Sequence, residues 1–156
     1  MLVVIHSGQT GVERGAHKAA IATGFQLAGF MPLDGRDETG PIPDDVAQHL
    51  TPCSDRGPRP AVRANIQLAS GVLLVVPESK QFATYTAMAA TLTAVRRMPV
   101  PYLICDLTTP PEEVSRFVLG LPETSGSVRL MVTGPRATRW HKGESLAFRL
   151  VAGLGM

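Results

Sequence analysis

The residues best suited to chemistry lie near the start of the chain, in His6-Ser7-Gly8-Gln9-Thr10-Gly11-Val12-Glu13-Arg14-Gly15-Ala16. Gly8 and Gly11 permit tight backbone geometry and close approach to a ligand. A helix starting just after them leaves backbone N–H groups free and turns the positive end of its dipole outward, which favours an anion. Ser7, Gln9 and Thr10 add side-chain donors. Together these features predict a phosphate cradle; the alternative is a plain strand–helix turn. The stretch is neither a P-loop nor a dinucleotide fingerprint, because it lacks Gly-Lys-Ser/Thr and its glycines do not fit Gly-x-Gly-x-x-Gly.

Other constellations carry less. His6, His17, His49 and His141 show no metal-ligand spacing. Cys53 and Cys105 match no metal pattern and read as reduced, mostly buried thiols. No Gly-x-Ser-x-Gly frames a serine nucleophile. The sequence therefore offers no catalytic residue and no metal set. Glu13 is the one carboxylate close to the cradle in sequence, suited to orienting Arg14 or a loop N–H.

Positioning these residues requires alternating strands and helices. Leu2-Val3-Val4-Ile5 reads as a strand, and Val12 to Thr23 as a helix with a small face of Ala16, Ala19 and Ala20. Gly24 ends that helix, and Phe25 to Phe30 reads as a second strand. Residues 31–60 are rich in Pro, Gly and Asp, a length of loop that is usually functional. Its tight Gly40-Pro41-Ile42-Pro43 turn suggests order, with a helical turn at Asp44 to His49 and a short strand at Leu50 to Cys53. Arg59 to Ala69 reads as a helix. Val72 to Val76 is apolar on both faces, as in a central parallel strand. A helix over Thr84 to Met98, a strand at Tyr102 to Cys105 and a helix opening with Pro110-Pro111-Glu112-Glu113 follow, the last capped by Thr108 or Thr109. Val128 to Val132 is the last strand, and a helix from Lys142 or Gly143 to Ala152 closes the chain.

This alternation predicts one α/β domain over residues 1–156, a doubly wound, mainly parallel sheet with helices on both faces. Loops after the first, second and last strands should then share one edge, where ligands bind in such sheets. Hydrophobic residues make up 44% of the chain but aromatics only 5%, so small aliphatic side chains must fill the core. The net charge of +2, with no long basic stripe, argues against nucleic acid but suits a small anionic ligand. The sequence shows no signal peptide and no membrane span, and a cytoplasmic protein is expected.

The opening block, Ser7-Gly8-Gln9-Thr10-Gly11-Val12-Glu13-Arg14-Gly15-Ala16, closely resembles the first motif of the molybdenum cofactor carrier family, Ser-Gly-Gly-Gln-Thr-Gly-Val-Asp-Arg-Gly/Ala-Ala. Gly35-Arg36 with Gly40-Pro41-Ile42-Pro43 resembles the second block of that family. Asn65 matches its asparagine, and Thr133-Gly134-Pro135-Arg136 resembles its late Ala-Gly-Pro-Arg-Glu-Ser block. The resemblance implies a Rossmann-like fold related to lysine-decarboxylase-like proteins and cytokinin-activating phosphoribohydrolases. It also implies a non-catalytic carrier that binds molybdenum cofactor through its phosphate and pterin, and assembles as a dimer or tetramer.

Glu13 stands where the family has aspartate, and Ala137-Thr138 replaces Glu-Ser. Ala83-Thr84-Tyr85-Thr86 replaces a glycine-rich turn, of which Thr86 alone matches. The phosphoribohydrolases carry a glutamate three residues after that threonine; here the position is Ala89, which argues against their chemistry. A hydrolase of that type would need Glu13, Glu38 or Glu78 instead, and a nucleotide-binding protein of the same fold is the other alternative. The expected ligand residues are Ser7, Gly8, Gln9, Thr10, Gly11, Arg36, Thr86, Thr133, Gly134 and Arg136. Arg136 reads either as a fork for the anionic end of a ligand or as a surface turn arginine. Thr133 and Gly134 supply donors or simply close the strand, and Arg36 reaches the cleft or stays solvated. Asn65 reads either as a ligand contact or, by preference, as a side-chain cap on a loop. Trp140 and Tyr85 either stack on a ring or, as is commoner for a lone aromatic near a loop, serve packing or an interface.

Overall fold

The structure, a computed structural model, describes residues 1–80 and 86–155, the side chains of Thr86 and Ala87 excepted. Five strands form one parallel sheet: β1 (Leu2–Ile5), β2 (Gln26–Ala28), β7 (Gly71–Val75), β8 (Tyr102–Cys105) and β9 (Val128–Thr133). Their order is β2-β1-β9-β7-β8. The last strand of the chain is thus the middle strand of the sheet, and β7 lies beside it. Every residue of β7 is buried, because helices cover both faces. The fold is the expected α/β Rossmann-like sandwich.

The pleat divides the core in two. Val4, Leu73, Val75, Leu130 and Val132 face helices α1 (Val12–Thr23), α5 (Pro111–Leu119) and α6 (Gly143–Ala152). Val3, Ile5, Val72, Leu74 and Met131 face α3 (Pro58–Leu68) and α4 (Thr86–Arg97). α1 presents Ala16, Ala19 and Ala20, all fully buried, so α6 approaches it closely. A Cβ on Gly15 would lie 2.1 Å from the Glu144 carbonyl oxygen. Trp140 packs on the core beside α6. Cys105 is fully buried and its thiol is pushed up to about 12, chiefly by that burial. It stays protonated and unreactive.

The expected strand at Phe25 to Phe30 is split in two. β2 joins the main sheet, and β3 (Phe30–Met31) pairs in parallel with β6 (Thr51–Pro52). The break falls at Gly29, whose φ is +138° and whose Cβ would lie 2.1 Å from the His6 carbonyl oxygen. Only glycine lets the chain pass the end of β1 at this distance. Asn65, fully buried on α3, then fixes the new direction: Phe30 N–H donates to its Oδ1 at 2.7 Å, and its Nδ2 donates to the Phe30 carbonyl at 3.0 Å. Its amide replaces a neighbouring strand.

The long loop is ordered by a small core of its own. Ile42, Val46 and Leu50 cluster beneath it, with α2 at Asp44–Ala47. A two-residue ladder joins β4 (Arg36–Asp37) to β5 (Gly40–Pro41). Asp37 turns this hairpin by accepting the Thr39 N–H at 2.7 Å and hydroxyl at 2.6 Å.

The expected threonine cap on α5 is corrected. Pro110 occupies the cap position, and both threonines are engaged by Asp106. Thr108 donates its N–H and hydroxyl to Asp106 Oδ1, and Thr109 Oγ1 accepts the Asp106 N–H. The helix expected from Thr84 is described from Thr86 onward; Thr84 and Tyr85 lie outside the described residues.

Candidate functional site

Because the five strands are parallel, their carboxyl ends share one edge, and the loops after β1 and β9 meet there. A cleft of about 1010 Å³ opens at this edge and runs between α3 and α4. Ser7, Gln9, Arg36, Thr133, Gly134 and Arg136 line it, six of the ten expected ligand residues. Gly8, Thr10 and Gly11 do not. The side chain of Thr86 lies outside the described residues, as does the rest of the substituted turn before it.

The opening turn is filled by the protein itself. A Cβ on Gly8 would come within 2.9 Å of Ile42 Cδ1 and 3.0 Å of Leu50 Cδ1, and one on Gly11, at φ +79°, within 2.6 Å of the Pro135 carbonyl oxygen. The close approaches that these glycines permit are made by the long loop and by the loop after β9. Ser7 donates both its N–H (2.7 Å) and its hydroxyl (2.6 Å) to Glu13 Oε1, and the Thr133 hydroxyl donates to Glu13 Oε2 at 3.3 Å. Glu13, 6% exposed, thus ties the end of β1 to the end of β9. Burial pushes its carboxyl upward against the hydrogen bonds of Ser7 and Thr133. Gln9 donates its side-chain amide to the Arg36 carbonyl at 3.2 Å, and Arg14 bridges the Gly8 carbonyl (2.8 Å) and Asp37 (3.0 Å).

Charge in the cleft is arranged unequally. Arg36, Arg59, Arg63, Arg97, Arg136 and Arg139 all line it, and among the described residues none forms an ion pair. The carboxylates there are engaged. Glu13 is held as above and Asp37 is paired with Arg14. Glu38 accepts from Thr10 and Thr138, and Asp34 accepts the Arg36 N–H. Sequence reasoning found Arg36 and Arg136 but missed Arg59, Arg63, Arg97 and Arg139. The four-residue spacing of Arg59 and Arg63 beside the Val62–Ile66 edge of α3 was the available signal. Asp106 was also missed. It accepts the Ser79 N–H at 2.9 Å from the loop after β7, and the Thr108 hydroxyl and other donors hold its carboxyl well below the usual carboxylate range.

Three histidines run from the turn to the long loop. Gly8 N–H donates to His6 Nδ1 at 2.9 Å, so the His6 proton sits on Nε2, 3.0 Å from His17 Nδ1. His17 in turn meets His49 ring to ring at 5.5 Å. Among the described residues no group of three His, Cys, Asp or Glu side chains could hold a metal ion. Burial, then the neighbouring His17, lowers His6 to about 3. In the unfolded chain His6 takes up a proton near 6.5, whereas in the folded protein it does not. Stability is therefore fully present above pH 6.5 and is lost as pH falls toward 3. The expected cost at pH 5 from this residue is about 2 kcal/mol. Urea unfolding at pH 8 and pH 5 checks this. His6→Asn keeps an acceptor for Gly8 N–H and should flatten the pH dependence; an unchanged slope would refute the assignment.

The sheet order carries one further fact. Counting β9 first instead of last gives β2-β1-β9-β7-β8 the order 3-2-1-4-5 of the Rossmann sheet. The topological switch then falls between β9 and β7, and Thr133 to Arg136, on the β9 side of it, line the cleft. The sequence pattern of the circularly permutated YpsA SLOG family matches residues 4–154. The chain belongs to this family. The permutation is visible as the last strand filling the place of the first. No curated protein matches the chain. Among solved structures, the crystal structure of "Putative molybdenum carrier protein" from Syntrophus aciditrophicus superposes with a TM-score of 0.81 at 19% identity, covering 98% of this chain and 93% of that one. The likeness is one of fold, to a protein named for the same role that the sequence blocks resemble. In this SLOG domain, the turn after β9 stands where a Rossmann domain has its first turn. No described helix is long and apolar enough to cross a membrane.

Proposed function

We propose that this SLOG domain is a non-catalytic carrier for a phosphate-bearing pterin of the molybdenum cofactor type. The carrying observation is the cleft at the switch point, lined by six arginines that have no carboxylate partner among the described residues. Such arginines suit a ligand that brings the negative charge, and their planar forks bind phosphate bidentately. Arg136 and the donors after β9 hold the phosphate end. Arg59 and Arg63 on α3, with Val62 and Met88 as apolar wall, take the ring. No cysteine lines the described part of the cleft, so charge and ring contact carry the cargo.

Hydrolysis of a nucleotide is disfavoured by the same geometry. Glycosidic cleavage uses a carboxylate beside the departing group. Ala89 stands where the related enzymes have glutamate, Glu78 does not line the cleft, Glu13 is tied down by Ser7 and Thr133, and Glu38, which does line the cleft, is engaged by Thr10 and Thr138. The switch-point position of the cleft also suits a nucleotide, which is the second reading.

Calorimetric titration of a phosphate-bearing pterin into wild type, Arg136→Ala and Arg59→Ala tests the proposal. Each substitution should weaken binding roughly 10- to 100-fold, the value of a charge-assisted hydrogen bond. Unchanged affinity in both variants would remove the residue assignments. Binding of nucleoside monophosphates with indifference to pterins would establish the second reading, and release of free base would make the protein an enzyme.

A further inference from the structure

We propose that Thr10, Thr138 and Arg136 form an oxyanion subsite that the chain's own Glu38 now fills. A phosphate-bearing ligand then binds by displacing this carboxylate and lifting the tip of the β4–β5 hairpin. The inference rests on reading the cleft as an anion site and adds how that site is regulated.

Glu38 lies at the hairpin tip and lines the cleft. Its Oε1 accepts the Thr10 hydroxyl and the Thr138 N–H (3.2 Å), and its Oε2 accepts the Thr138 hydroxyl at 2.5 Å. These donors come from the loops after β1 and β9, so one carboxylate bridges the mouth of the site. Thr10 and Thr138 do not themselves line the cleft, whereas the Glu38 that accepts from both does. The Thr10 donor is aimed independently of Glu38. Ala137 N–H donates to Thr10 Oγ1 at 3.2 Å, which occupies an acceptor position and leaves the hydroxyl proton to point outward. Gly11, against Pro135 and Ala137, holds the two loops together.

A carboxylate satisfies this set incompletely. Arg136 acts on Glu38 through its charge but forms no ion pair with it. A phosphate monoester brings a third oxygen and nearly twice the charge, which gives the Arg136 fork its own partner. Glu38 is the carboxylate able to yield. Glu13 is buried and holds the fold together, and Asp37 is paired with Arg14, which anchors the base of the hairpin while its tip moves. A tethered carboxylate competes at an effective concentration in the millimolar range. The apparent affinity for any anion falls by the fraction of molecules in which the tip is open.

The test is a titration of inorganic phosphate into wild type, Glu38→Ala and Glu38→Gln, followed by calorimetry or NMR. Glu38→Ala should bind phosphate at least about tenfold more tightly than wild type, and adding Thr138→Val should abolish the gain. Equal affinity in wild type and Glu38→Ala overturns the proposal, as does a gain that survives Thr138→Val. Hydrogen exchange on the wild type gives a readout that needs no variant. Saturating phosphate should speed exchange at Glu38, Thr39 and Gly40 and protect the Thr138 amide; an unchanged hairpin overturns the proposal. If a phosphate-bearing pterin binds no variant but phosphate shows the gain, the subsite stands and the carrier reading fails. If the pterin binds wild type and Glu38→Ala alike, displacement fails and the carrier reading stands.

Discussion

Glu13→Ala is expected to destabilise the protein by roughly 3–5 kcal/mol and to abolish anion binding in the cleft. The substitution removes the acceptor for three donors at once: the Ser7 N–H, the Ser7 hydroxyl and the Thr133 hydroxyl. Each buried donor left unpaired costs about 1–3 kcal/mol, less where a hydroxyl can rotate to a new partner. The Ser7 N–H cannot rotate, and it belongs to the turn after β1. Losing it frees that turn from the end of β9, so the geometry of the cleft mouth goes with the stability. Glu13→Gln separates hydrogen bonding from charge. Its amide oxygen keeps the Ser7 donors, and its amide group can donate to a rotated Thr133 hydroxyl. Burial already disfavours the charge of Glu13, so Glu13→Gln should cost less than about 1 kcal/mol. Urea unfolding of the three proteins gives both values. A Glu13→Ala protein within about 0.5 kcal/mol of wild type would show that the carboxylate does not hold the loops.

Gly134→Ala is the second large effect, expected at about 3 kcal/mol or more, at the upper end of overpacking costs. The new Cβ would lie 2.2 Å from the Val75 carbonyl oxygen, 2.6 Å from Val12 Cγ2 and 2.9 Å from Val12 Cβ. Two of the three partners are main chain or a branch point, which no rotamer change can move. The loop after β9 must therefore shift off β7 at the switch point. This distinguishes the two readings that Gly134 invites. If the glycine served only a ligand, the variant would keep its stability and lose binding. If it serves packing, thermal unfolding will show the loss without any ligand. Preserved stability would refute the packing role.

Much of the fold was legible. Strands β1, β7, β8 and β9 and helices α1, α3 and α6 stand within a residue or two of where periodicity, glycine and proline put them. Those signals are local: a buried parallel strand must be apolar on both faces, and a glycine must end a helix that has no other cap. The failures have two causes. Gly29 splits the second strand because the tertiary fold sets the His6 carbonyl against it, which no window of sequence contains. Thr108 and Thr109 leave α5 uncapped because Asp106, two and three residues before them, takes both in a local turn that competes with the cap.

The site divides in the same way. By itself, the sequence determined the residue types at the switch-point edge, the alternating architecture and the family blocks, because these depend on neighbours along the chain. The tertiary structure alone decided what those residues face. Ser7 reads in sequence as a donor for phosphate, yet its donors go to Glu13. Gly8 reads as room for a ligand, yet Ile42 and Leu50 stand there. The glycine-rich opening is less an open cradle than a junction where β1, β9 and the long loop lock together. The cationic surface gathered around it comes from Arg59, Arg63, Arg97 and Arg139, on elements far apart in sequence. A hydrogen bond or a charge field depends on distance in space, and only the folded chain sets that distance.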